Sequence, residues 1–427
     1  MALPQAKTDA TEAWLSGRDV PEAGFTGGAR ADAMARLRDM GLPARRDEYW
    51  RFTRPDLLNA PDPEASDPLR VDAPIFEGHD KVRIVFTDGV FDADASDEMA
   101  LDGVEIVRLA DAGTADIHWA KPLYGALEAR GQSPVARPFA AANTALATDG
   151  LLIRVTGKAP KPLHISYRQS SDVSDAMLHH VIKVEAGAEL TLLETGTAGA
   201  RGNVVTEADI ADGGALHHVR PQGRAHGRQV VTHMFVRLGA EAVLKSFTLS
   251  LNGRMTRNEC VVEFAGDDGV AHVAGASAGD GEDFHHDDTV FVTHDAVGCE
   301  SRQVFKKVLR NGAVGVFQGK ILVKKIAQKT DGYQISQSLL LDGDSQFLAK
   351  PELEIYADDV VCSHGSTSGA IDDGALFYLR SRGVSEAAAT DLLTLAFLAE
   401  ALDEIEDATL AEALRERLAD WLSRRAG

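Results

Sequence analysis

Cysteine is scarce. Cys260, Cys299 and Cys362 are the three in 427 residues, and no two form a Cys-x-x-Cys pair. That excludes a disulfide framework and a preformed zinc knuckle, so metal chemistry would draw ligands from distant segments or from another chain. No apolar run approaches the roughly 20 residues that cross a bilayer. Met1 to Asp19 is polar and lacks the apolar core of a secretion signal, which makes the cytosol the expected compartment. Positive charge is short as well: 44 Lys and Arg against 65 Asp and Glu leave a net charge of −21. So acidic a chain repels phosphate backbones, which argues against a general nucleic-acid or anionic-membrane binder. Aromatic residues make up only 6%, few for stacking on sugars. Apolar content of 44% with 26% charged residues is globular in character and excludes bulk disorder.

What is present divides the chain in three: a helical region over 1–71, a strand-rich core over 72–370 and a helical region over 371–427. In the first, Met34, Leu37 and Met40 recur at helical spacing and Gly41-Leu42-Pro43 supplies the stop, which reads as an appended helical cap. In the second, short β-branched and aromatic runs such as Val82–Phe86, Leu151–Val155 and Val230–Val236 are bounded by Gly, Asp or Asn, and no sustained amphipathic helix intervenes. Glycine-led segments opening at Gly187, Gly213, Gly239 and Gly266 are spaced 26, 26 and 27 residues apart. A period of this length built from strands and turns favours coils of a parallel β-helix over an antiparallel sandwich, because stacked coils bury a continuous core. In the third region, Leu392, Leu395, Ala396, Ala399 and Leu402 form one apolar stripe, and Leu410, Leu414, Leu418 and Trp421 another. Asp407 or Thr409 caps the second helix and Arg424 with Arg425 suits its carboxyl end. These helices either cap the open end of the solenoid or dock a partner.

Few motifs carry chemistry. Gly315-x-x-x-Gly319-Lys320 has one residue too few for a phosphate-binding loop, and Ile321 stands where Ser or Thr would bind magnesium, so no ATP site is expected. The adjacent pairs His179-His180, His217-His218 and His285-His286 point to opposite faces of a strand and cannot each chelate one ion. Asp283, Asp287 and Asp288 resemble a metal loop in composition only. Cys362-Ser363-His364 differs, because residues i and i+2 share a face and place a thiol beside an imidazole, both borderline-soft ligands for iron, copper or zinc. His364 could alternatively lower the Cys362 pKa, as a cysteine hydrolase would need. A β-helix lyase or hydrolase recruiting the Asp283, Asp287 and Asp288 carboxylates is a further enzymatic alternative.

Lys350-Pro351-Glu352-Leu353-Glu354-Ile355, Ala357-Asp358-Asp359, Cys362-Ser363-His364-Gly365 and Leu376-Phe377-Tyr378-Leu379-x-Ser381-Arg382-Gly383 closely resemble the SufB/SufD scaffold family of the SUF iron–sulfur cluster assembly system, on its SufD side. The likeness continues through Gln318–Ile321, Ala327–Asp331, Leu339–Leu341, Pro138-Phe139-x-x-x-Asn143 and Gly41–Pro43 with Glu48, Trp50 and Arg51. Val361, Ser336 and Ser366 depart from residues common there. SufB itself is the nearest alternative, against which stand the shorter chain and the Cys-Ser-His-Gly segment. The resemblance implies a right-handed parallel β-helix flanked by amino- and carboxyl-terminal helices, and a scaffold rather than an enzyme. It implies pairing with SufB through the β-helix and with the ATPase SufC through the carboxyl-terminal helices. It places His364, as metal ligand, and Cys362 beside a nascent cluster shared with SufB. Reduced flavin accompanies family complexes, though no motif here locates it. The exposed edge strand also permits a homodimer of the isolated chain.

Overall fold

A computed structural model describes residues 3–22, 24–68, 74–223 and 225–423. The boundary expected at 71/72 and the helix-ending Arg424 and Arg425 lie outside the described residues. From Leu151 to Gly369 consecutive strands alternate between two sheets. Each strand pairs in parallel with the strand two places on, for example Gln229–Leu238 with Met255–Phe264 and Glu300–Arg310 with Asp331–Leu340. One turn of chain thus adds one strand to each sheet, and the molecule is mainly β, a parallel solenoid with helical segments toward both chain termini. Because parallel pairing is in register, equivalent residues of successive coils stack in columns that stay inside or outside. Inner columns hold Leu190, Leu192, Leu216, Leu244, Val262, Phe264, Val273, Val290, Val292, Phe305 and Phe317, a continuous apolar core between the sheets.

The glycine period marks one corner of this coil. At that corner a residue with positive φ occurs once per turn: Gly187, Gly213, Glu241, Asp268, Gly298 and Lys329, with φ of 67, 66, 55, 59, 72 and 63°. Each of these backbone N–H groups donates to a carbonyl of the next coil: Asp212, Ala240, Asp267, Val297, Gln328 and Asp359, at 2.6–3.0 Å. The left-handed corner is therefore the structural repeat. Glycine occupies it at three of the six positions, and at the Gly239 and Gly266 segments the corner falls two residues later.

Helices cover the outer faces. Helix Gly27–Met40 ends where Gly41 takes φ 62°, and its Ala33 and Leu37 join Trp14, Trp50, Phe139, Val231 and Met255 in one cluster over the nine-stranded sheet. The Arg257 guanidinium lies 4.2 Å from the Trp50 ring centre. Helix Pro138–Leu146 is buried on every side, packed against Gly27–Met40 and the sheet. It has no polar face, so amphipathic periodicity could not reveal it.

At the carboxyl end, helices Glu386–Leu402 and Ala408–Ser423 form a hairpin on the outer face of the ten-stranded sheet, not over the solenoid's open end. The expected stripe Leu410, Leu414, Leu418 and Trp421 is buried there, and Asp407 Oδ1 caps the helix by accepting from the N–H of Thr409 and Leu410 at 2.7 and 3.3 Å. The other stripe is rotated from expectation. Thr394, Leu398, Ala401 and Leu402 are buried, whereas Leu392 and Ala396 face outward. This helix is apolar nearly all round, so its sequence defines no single face. Among the described residues no helix is long and apolar enough to cross a membrane.

Candidate functional site

The two ends of the solenoid differ. At the amino end antiparallel partners finish both sheets: Val90–Phe91 beside Val82–Thr87, and Val104–Arg108 beside Leu151–Val155. At the carboxyl end the last strands, Gln346–Ile355 and Val361–Gly369, are paired on one side only among the described residues. Their outer edges offer unpaired N–H and C=O groups to another strand. Inner-column side chains that are buried one coil earlier are consequently open here: Ser366 and Ser368 are exposed, whereas Ser336 and Ser338 beneath them are buried.

Cys362 and His364 stand on this last strand and share a face, as strand alternation requires. Register shows that the face is the inner one. Cys362 lies over Gly332, His364 over Gln334, Ser366 over Ser336 and Ser368 over Ser338. The serine pairs are joined, hydroxyl to hydroxyl, at 3.0 and 2.9 Å. Cys362 turns into the apolar end of the coil with Ile321, Val323, Ala327, Leu353 and Ala357. That burial pushes its thiol up, opposite to the shift a nucleophilic cysteine needs. His364 is exposed, and no hydrogen bond engages its ring among the described residues. Gln334 beneath it is wholly buried and donates through Nε2 to Gln303 Oε1 at 2.9 Å. Nothing in the sequence motifs singled out Gln334 or Gln303. They become visible once the coil length aligns them with His364.

The remaining candidates are absorbed by the framework. Each histidine pair splits between faces. His180, His218 and His286 point inward, bonded to Tyr167, Glu194 and Lys307 at 2.9, 2.7 and 3.0 Å. Burial pushes the His180 imidazole down to about 4 and His286 well below its usual value. Their neighbours His179, His217 and His285 face outward to Glu207, Glu189 and Thr53. Asp287 and Asp288 also diverge: Asp287 is bound outside by Arg257 and by Thr53 at 2.5 Å, Asp288 inside by Lys307 at 2.6 Å. They cannot act as one carboxylate pair. Lys320 sits within strand Val314–Val323 and donates to Glu354 at 2.5 Å. Among the described residues no group of three or more His, Cys, Asp or Glu converges as a metal site.

A second exposed feature lies on the carboxyl-terminal helices. The loop between Glu386–Leu402 and Ala408–Ser423 is tied to the sheet by Glu404, which accepts from Arg302 at 2.6 Å and lies 3.2 Å from His272 Nδ1, and by Glu406 on Lys245. Trp421 Nε1 donates to Asn252 at 3.0 Å. Beyond this anchored part, helix Asp373–Arg380 buries none of its side chains, and Phe377, Tyr378 and Leu392 are 74, 55 and 52% exposed. Apolar side chains this open make these helices a candidate interaction surface.

Residues 167–397 match the family model described as SUF system FeS cluster assembly, SufBD core domain, which is more than half of the chain. The chain is 28% identical over 404 residues to the iron–sulfur cluster assembly protein SufD of Escherichia coli K12, covering 90% of each chain. It is 26% identical over 422 residues to an iron–sulfur cluster assembly SufBD family protein of Synechocystis, covering 90% of this chain and 88% of that one. A SufBD family protein of Mycobacterium leprae is 34% identical over 190 residues, 42% of this chain and 47% of its own. The matched core contains every coil from Tyr167 onward, the open final coil with Cys362 and His364, and the first half of the helical hairpin; a stacked parallel solenoid over that span, with relatives alike along nine-tenths of their length, makes this chain a member of the SufBD family.

Proposed function

We propose that this chain is a non-catalytic scaffold subunit of the SUF machinery, assembling iron–sulfur clusters in the cytosol with a SufB-like chain and a SufC-like ATPase. The observation that carries this reading is the uncovered final coil, where two free strand edges flank an exposed inner-face histidine. A second solenoid docking end to end would continue both sheets by main-chain hydrogen bonds. It would also roof the lumen above His364. An imidazole nitrogen there is a competent iron ligand, and the facing chain supplies the others, so the cluster is cargo held at the joint. Cys362, two residues away on the same face, forms the floor of that space and is a secondary ligand candidate.

The ATPase docks on the carboxyl-terminal helices, where Phe377, Tyr378 and Leu392 are open. Their anchoring through Glu404 and Glu406 to strands Val270–Asp280, Glu300–Arg310 and Val243–Leu251 gives nucleotide-driven movement a path to the sheet. This chain holds no ATP in that scheme, and reduced flavin enters with the assembled complex. Without a partner, the same free edges would pair two copies of this chain. The test is a co-expressed complex of the three proteins carrying His364→Ala, reconstituted anaerobically. The complex should form, but its visible absorption and its bound iron and sulfide should fall severalfold; wild-type cluster content would refute the assignment.

A further inference from the structure

We propose that Gln334 is a positioning residue for His364: its side-chain carbonyl accepts the N–H of one ring nitrogen and leaves the other nitrogen aimed out of the open end. The inference rests on the reading of His364 as a ligand. It starts from an orphaned atom. Gln334 is wholly buried, its Nε2 is committed to Gln303 Oε1 at 2.9 Å, and its Oε1 is enclosed without a partner. A buried carbonyl left unpaired is destabilising, so one that persists calls for an occupant.

Register supplies that occupant. Gln334 pairs with His364 on neighbouring in-register strands, so both side chains stand in the same inner column. The next two positions of this pair show that side chains so placed reach one another: Ser336 bonds Ser366 and Ser338 bonds Ser368. The amide has the room it needs because Gly319 faces it across the lumen, where a Cβ would collide with the Gln334 amide. With Nε2 spent on the preceding coil, the carbonyl oxygen on the other branch of the planar amide is the atom left free for the coil above. A neutral imidazole carries one N–H and one lone pair. Fixing the N–H on a buried carbonyl selects the tautomer and directs the lone pair, the usual arrangement for a ligating histidine.

The experiment uses Gln334→Leu, which removes the carbonyl, and Gln334→Glu, which restores an acceptor. Gln334→Met, unbranched and of similar reach, replaces the leucine variant if that one fails to assemble. Two quantities are read: the 15N shifts of His364 in the labelled full chain, which report its tautomer, and cluster loss from the reconstituted complex under chelator challenge. The wild type and Gln334→Glu should hold one tautomer. Gln334→Leu should relax toward the ratio of a free imidazole and lose cluster on the order of tenfold faster. A wild-type tautomer ratio or wild-type retention in Gln334→Leu overturns the inference. If His364→Ala loses cluster while Gln334→Leu does not, His364 remains a ligand and the positioning role is wrong. If neither loses cluster, the ligand reading itself has failed.

Discussion

Lys307 and Asp288 meet inside the solenoid, Nζ to Oδ2 at 2.6 Å, with side chains 1 and 6% exposed. The same ammonium reaches His286 Nδ1 at 3.0 Å, and Asn258 holds the other nitrogen of that ring at 3.2 Å. Replacing Lys307 by Met keeps the alkyl stem over Gly315 but leaves the Asp288 carboxylate unpaired in a low-dielectric lumen. Removing one partner of a buried ion pair costs about 3–5 kcal/mol. Asp288→Leu strands the ammonium instead and belongs in the same range, moderated by the His286 bond it retains. The double variant removes both charges and replaces them with apolar groups of similar volume, which by itself is near neutral. It still strips His286 Nδ1 of its donor, a penalty of about 1–3 kcal/mol. Guanidinium unfolding followed by far-ultraviolet circular dichroism reads all three. Both single variants should unfold at clearly lower denaturant, and the double, left with the His286 penalty alone, should recover part of the loss of either. Single variants that match the wild type, or a double variant that loses the sum of the singles, would refute the account of the lumen as a charge-paired interior.

The loop anchor should depend on pH. The Glu404 hydrogen bond raises the His272 pKa above its usual 6.5, and that bond in turn lowers the pKa of Glu404. The stabilisation His272 contributes is therefore complete below about 6.5 and lost as pH rises through its raised folded value, while the share of Glu404 is lost only well on the acid side. The hydrogen-exchange protection factors of residues 386–423, corrected for the intrinsic pH dependence of amide exchange, should fall from pH 6 to pH 8.5, and His272→Gln should abolish that fall. Asp407→Ala removes the cap of the last helix, a loss of about 1 kcal/mol; faster exchange confined to its first turn is expected, and an unchanged rate would show that the Trp421–Asn252 end holds the helix alone.

Residue order by itself determined the architecture. A turn-and-strand period, β-branched runs without intervening amphipathic helices, and two helical ends are local properties, and one coil after another repeats them. It also determined that Cys362 and His364 share a face, since strand alternation is a covalent regularity. It marked one corner of the coil but not the corner residue of every turn. The left-handed position is a demand of coil-to-coil hydrogen bonding, which Glu241, Asp268 and Lys329 also meet, at a steric cost that glycine does not carry. Nor did it locate helix Pro138–Leu146 or the buried face of Glu386–Leu402. Both segments are too uniformly apolar for periodicity to choose a side, and their neighbours chose it. Tertiary structure alone decided that the shared face of Cys362 and His364 looks into the lumen and that the last coil stays uncovered. It alone set Gln334 beneath the histidine, because coil length aligns residues that no sequence neighbourhood connects.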